Sequence, residues 1–254
     1  MSKAEITIKV SAREDFVPVR SFLTIVSNTL SMLKEIESAR KTETQSEWKI
    51  SAASLQSPLT LTISSDAPNA DGTVRECLNI FDETEKSSSQ HFQVYQRWTQ
   101  RTLVHAKDVV SVLNDGVSRI VFAAQGIESV SPTQRVAASV DYYLAPVYED
   151  FGSFEGHLET LSVHKRTRFN IYEPLRDHAI ACYFPAEKLD EAHAAFNKRV
   201  SVSGRVKYNR LGNPTSIFVE SIHILGSGKS IDERIDITGG TESGRYSRGL
   251  RDAK

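Results

Sequence analysis

Cysteine is almost absent from this chain, with two in 254 residues, Cys77 and Cys182. They fall in what read as separate modules, which argues against a disulfide framework and for a reducing compartment. Metal-binding spacing is missing as well. The seven histidines, at 91, 105, 157, 164, 178, 193 and 223, never form an H-E-x-x-H type pair. No segment approaches the roughly 18 continuous apolar residues of a membrane span. Met1-Ser2-Lys3-Ala4-Glu5 opens without a basic patch followed by an apolar core. The expectation is a cytoplasmic protein with no membrane segment, metal or cofactor.

A strong excess of either charge is also lacking. The formal net charge is −1, whereas a dedicated nucleic-acid binder usually presents a clearly basic surface, because phosphate neutralisation drives its affinity. Residues 1–151 carry 15 basic and 19 acidic side chains, residues 152–225 carry 10 and 8, and residues 226–254 carry 6 and 5. The segment 152–225 is thus only mildly basic. Catalytic signatures are missing too. Gly226-Ser227-Gly228-Lys229-Ser230 ends like a phosphate-binding P-loop, but His223 stands where the leading glycine is needed, so the stretch reads as a linker. No Gly-x-Ser-x-Gly elbow, Gly-x-Gly-x-x-Gly loop or paired-carboxylate motif occurs, and the reading is non-enzymatic.

What is present is strand alternation. Val200, Val202, Gly204, Val206 and Tyr208 share one side of a strand whose other side is Ser201, Ser203, Arg205 and Lys207. Residues 209–214 supply a turn, and a returning strand carries Ile217, Phe218, Val219, Ile222 and Ile224. Upstream, Phe154 to Val163, Arg168 to Tyr172 and Ala179 to Phe184 read as three more strands. Between the third and fourth, Pro185 opens a helix with Leu189, Ala192 and Phe196 on its apolar face. Five strands with one helix after the third are the order of an OB-like β-barrel, expected over 151–225.

The first half, 1–150, reads as a separate α+β domain. Ile6, Ile8 and Val10 mark a strand, and Pro18 starts a helix with Val19, Phe22, Leu23, Val26, Leu30 and Leu33 on one face. Trp48 and Ile50, Ser57-Pro58, then Leu59, Leu61 and Ile63 form a hairpin. Val74, Cys77, Leu78 and Phe81 have helical spacing, and Asp82 to Gln90 reads as a polar, mobile loop. A helix over 91–114, a strand from Arg119 to Ala123, and a helix capped by Ser131-Pro132 and running to about Leu144 complete it.

Two candidate sites emerge. OB-folds bind across strands two and three and the neighbouring loops, which here would gather Lys165, Arg166, Arg168, Tyr172, Tyr183, Lys207 and Arg210. Cations for phosphates beside rings for base stacking suit a single strand of nucleic acid, although basic loop tips are more often merely solvated. The second candidate is the extended tail, 226–254. On a helix Arg245, Arg248 and Arg251 lie one turn apart, with Tyr246 and Leu250 beside them. Such an arm orders on a protein partner, or stays a frayed terminus.

The α+β first half, OB-like second half and an Ile-Thr-Gly-Gly … Arg-x-Leu-Arg-Asp ending together resemble a group of bacterial two-domain proteins associated with genes beside small nuclease toxins of the PIN class. The resemblance implies an antitoxin-like regulator. Its C-terminal arm would lay Arg248 or Arg251 against the toxin's metal-binding carboxylates, anchored by Tyr246 and Leu250. The glycine within Arg248-Gly249-Leu250-Arg251 weakens a helical arm by about 1 kcal/mol relative to alanine. An inhibitory protein of this kind is the leading functional expectation, and a single-stranded nucleic-acid-binding accessory protein the alternative.

Overall fold

The computed structural model describes residues 3–40, 46–86, 97–164, 166–173 and 178–226. The protein is mixed α+β with two five-stranded sheets. Compactness divides the chain into two units, Met1–Phe151 with Arg205–Ile217, and Gly152–Gly204 with Phe218–Lys254.

In the first unit the elements are β1 (Ala4–Ala12), α1 (Val19–Ala39), β2 (Lys49–Ser54), β3 (Leu59–Ser65), α2 (Ala70–Lys86), α3 (Gln100–Ser111), β4 (Val117–Ala124), β5 (Ile127–Val130) and α4 (Gln134–Leu144). The sheet runs β2-β3-β1-β4-β5. Alternation sets its register: Ile6 faces Ile63, Ile8 faces Leu61 and Phe122, and Val10 faces Ile120, so one side of the sheet is apolar. The helices close over that side. At the centre Phe81 of α2 stacks on Phe122 of β4, with centroids 4.7 Å apart and planes at 11°.

Several helical expectations change. The buried stripe of α1 is Ser21, Ile25, Thr29, Met32, Leu33, Ile36 and Glu37 rather than the Val19-Leu23 line, and Val19 and Leu23 are 74 % and 59 % exposed. Two buried hydroxyls explain the rotation, since Ser21 donates to the Asp115 carbonyl at 3.1 Å and Thr29 to the Ile25 carbonyl at 2.7 Å. Polar residues with local acceptors can therefore line a core face. Residues 82–86, expected in a loop, continue α2. Thr84 is buried and donates to the Ile80 carbonyl, and Lys86 pairs with Asp82 at 2.7 Å. The helix expected over 91–114 spans Gln100–Ser111 in its described part, with the Thr99 side chain accepting from the Thr102 amide as N-cap. For α4 the cap is Thr133 rather than Ser131-Pro132, and Glu85 in turn accepts from the Thr133 amide and hydroxyl at 2.9 and 2.7 Å. Strand β5 was not anticipated: four residues are too few for a period, and it is made by the turn at Gly126, whose φ is +71°.

Downstream lie β6 (Pro146–Ser162), β7 (Arg168–Glu173), β8 (His178–Tyr183), a 3-10 turn (Ala186–Lys188), α5 (Leu189–Ala194), β9 (Arg199–Asn209) and β10 (Pro214–Ile224). The five strands close into a barrel in the order β10-β8-β7-β6-β9. In the second unit Leu158, Phe169, Ile171, Ile180, Cys182, Val200, Val202 and Val219 are buried, with Ala192 of α5 and the following Ala195. Phe196, assigned to the helix face from its spacing, lies past the end of α5 and is exposed. Two glycines permit close strand approach. A Cβ at Gly156 would stand 2.7 Å from the Tyr172 carbonyl oxygen, and one at Gly204 2.0 Å from that of Phe218.

Residues 205–217 group with the first unit, whose core receives Leu211. Arg210 grips the end of α4. Its amide donates to the Tyr143 carbonyl at 3.2 Å, its Nη1 to the Tyr142 carbonyl at 2.6 Å, and its guanidinium lies 3.8 Å from the centroid of the Tyr142 ring.

Candidate functional site

Alternation in β7 and β8 decides which side chains face outward. Phe169 and Ile171 in β7, and Ile180 and Cys182 in β8, are buried, so Arg168, Asn170 and Tyr172, and Ala179, Ala181 and Tyr183, line the opposite side. Strand pairing then arranges them in tiers. Arg168 lies between Ser162 and Tyr183, Asn170 between Thr160 and Ala181, and Tyr172 between His157 and Ala179. Tyr172 and Tyr183 are therefore not core residues. Both are half-buried, with rings standing on the outside of the sheet.

A further aromatic joins this face. Phe218 of β10 falls between buried Ile217 and Val219, and its ring centroid is 5.9 Å from that of Tyr183, with planes at 30°. The parity of Ile217-Phe218-Val219 carries the signal for an outward Phe218. Tyr183 itself ends β8 where the Phe184 amide donates to the Thr167 carbonyl at 3.3 Å and the Thr167 hydroxyl to the Phe184 carbonyl. That clamp fixes the first tier. Arg166, in the loop before β7, is exposed, and its amide donates to the His164 carbonyl at 2.8 Å, which tightens the turn. Neither Arg166 nor Arg168 is ion-paired among the described residues.

The remaining candidates lie elsewhere. Lys207 pairs with Glu149 at 3.2 Å, and Arg210 holds the end of α4; both belong to the first unit and are engaged there. Near Lys207, Tyr208 stacks on Tyr148 with centroids 5.0 Å apart, and burial, with Tyr148 and Asp150 nearby, raises its hydroxyl above the ordinary range. Lys165 and the tail residues Arg245, Tyr246, Arg248, Leu250 and Arg251 lie outside the described residues.

Nucleophiles and carboxylates form no comparable cluster. Cys77 is fully buried and its thiol is pushed up to about 12, and burial likewise raises Cys182. Among the described residues no three His, Cys, Asp or Glu side chains gather within reach of one metal ion. A cleft of about 330 Å³ beside β2 and β3 holds Lys49 paired with Glu47 at 3.1 Å, so its charges compensate one another. No described helix is long and apolar enough to cross a membrane. The chain matches no protein-family model and no curated protein.

Proposed function

We propose that this protein is a non-enzymatic binding protein whose OB-like barrel holds a single strand of nucleic acid across the outer face of β7 and β8. The barrel order, with strands one, two, three, five and four adjacent in turn and a helix between the third and fourth, supports the OB-like assignment. The observation that carries the function is the first tier. Arg168, with no ion pair among the described residues, stands opposite Tyr183, whose ring neighbours Phe218, all on the side of β7, β8 and β10 away from the buried residues. A guanidinium meets phosphate, and half-exposed rings stack on bases without regard to their identity. The two buried, unpaired thiols suit a reducing, cytoplasmic setting.

The test is a fluorescence-anisotropy titration of labelled 15-nucleotide single strands at low salt. Binding in the micromolar range, weaker for duplex of the same sequence, is expected; no change in anisotropy up to 100 µM protein would refute the reading.

A second reading concerns the tail. The spacing of Arg245, Arg248 and Arg251 beside Tyr246 and Leu250 favours a protein partner, a PIN-class nuclease being the one the family resemblance suggests. Removing residues 235–254 should abolish co-purification with that partner. Retained binding by the truncated chain would discard the tail as the inhibitory element.

A further inference from the structure

Resting on the nucleic-acid reading, we infer that the β7–β8 face is a three-nucleotide site, its two ringed tiers holding bases two steps apart along one strand. The tiers differ in kind. The first carries the Tyr183 ring and the third the Tyr172 ring, on neighbouring strands. The middle tier has no ring, only Thr160, Asn170 and Ala181. Four residue steps separate the first tier from the third, about 13 Å along β7, and one strand spacing of about 4.8 Å separates the two positions sideways. The ring-bearing positions thus lie about 14 Å apart on a diagonal. A single strand opened for stacking on protein rings advances by about twice the 3.4 Å per-strand rise of a stacked duplex. Two nucleotide steps therefore cover the diagonal, and the base between them falls over the middle tier. Ala181 and its neighbour Ala179 are short, so that base meets little bulk.

The spacing is held at both ends. The Thr167–Phe184 clamp fixes the first tier. At the third, a Cβ at Gly156 would stand 2.7 Å from the Tyr172 carbonyl oxygen, so β6 lies close against Tyr172. Charge sets the path. Arg166 and Arg168 draw phosphate to the first tier, whereas Glu159, exposed at the bulge of β6 beside the middle tier, repels it. The strand therefore runs from Tyr183 to Tyr172 over β7 and β8 and does not continue across β6. Phe218, with its centroid 5.9 Å from that of Tyr183, widens the first platform rather than adding another. His157, directly opposite Tyr172, likewise belongs to the third tier.

The experiment titrates dT2, dT3, dT4, dT8 and dT15 into the isotope-labelled full chain and follows amide shifts by NMR, which reads millimolar as well as micromolar binding. The wild type should bind dT3 about 5- to 100-fold more tightly than dT2, the gain from one further stacked base. From dT3 onward affinity should rise only with the number of three-nucleotide registers a strand offers. Tyr172→Ala should bind dT2 and dT3 alike, and Tyr172→Phe, which keeps the ring, should restore the step; circular dichroism checks that both variants fold. No step at dT3, or a second step at a greater length, would overturn the three-nucleotide site and leave the binding surface standing. The same holds for a step that survives Tyr172→Ala or that Tyr172→Phe fails to restore. Failure of dT15 to bind the wild type would overturn both.

Discussion

Arg168 and Tyr183 are direct cross-strand partners at one end of the β7–β8 ladder, and the Tyr183 ring lies 5.9 Å from that of Phe218. The pair divides the work of holding a single strand. Tyr183→Ala should weaken affinity about 5- to 100-fold, the effect of one lost base-stacking contact. Arg168→Ala should instead lower the salt dependence, reducing the slope of log affinity against log salt by about 0.7. Titrations at several salt concentrations separate these two outcomes.

Arg210 gives the opposite expectation. Its place in a loop next to the OB-like face and its charge make it a nucleic-acid candidate in the sequence, but its guanidinium is held by the Tyr142 carbonyl and ring. Arg210→Ala should destabilise the protein by about 1–2 kcal/mol through loss of the clamp on α4 and leave strand affinity unchanged. Chemical denaturation beside the same titration checks both halves.

How far the sequence reveals this arrangement depends on whether an element has a period. Alternation located β1, β3, β7, β8, β9 and β10, because strand parity is read directly from apolar spacing, and the OB-like strand order put Arg168, Tyr172 and Tyr183 on a shared candidate surface. It did not separate Lys207 and Arg210 from them. Their distinction lies in contacts with Glu149 and Tyr142, about 60 residues away in sequence. In α1 the apolar residues outnumber the places in the core, and tertiary packing chose the stripe containing Ser21 and Thr29, whose hydroxyls find local acceptors. Phe218 was legible by parity, but nothing local marked a ring on an outward position as functional.

Gly204 of β9 lies close against the backbone of β10. A methyl group there would meet the Phe218 carbonyl oxygen at 2.0 Å, backbone that cannot rotate aside. Gly204→Ala should destabilise by on the order of 3 kcal/mol and displace Phe218, lowering strand affinity as well. Unchanged melting would show that the two strands separate freely.

The two thiols report on burial. Cys77 stays neutral up to about pH 12 in the folded chain, whereas an exposed thiol ionises near 9.0. Its burial therefore stabilises the fold fully below pH 9, and that contribution declines as pH rises from 9 towards 12. At pH 8 the native protein should react with a disulfide reagent at least about 100-fold more slowly than the denatured chain, which should release two equivalents. Fast reaction of one thiol in the native state would contradict its burial.

The most direct test of the binding surface is a hydrogen-exchange map with and without a saturating single strand. Slowed exchange in segments 166–172 and 179–183, with 216–220 following, is the predicted result. Slowing confined to other segments, or none under conditions where the strand is bound, would contradict the assignment of the β7–β8 face.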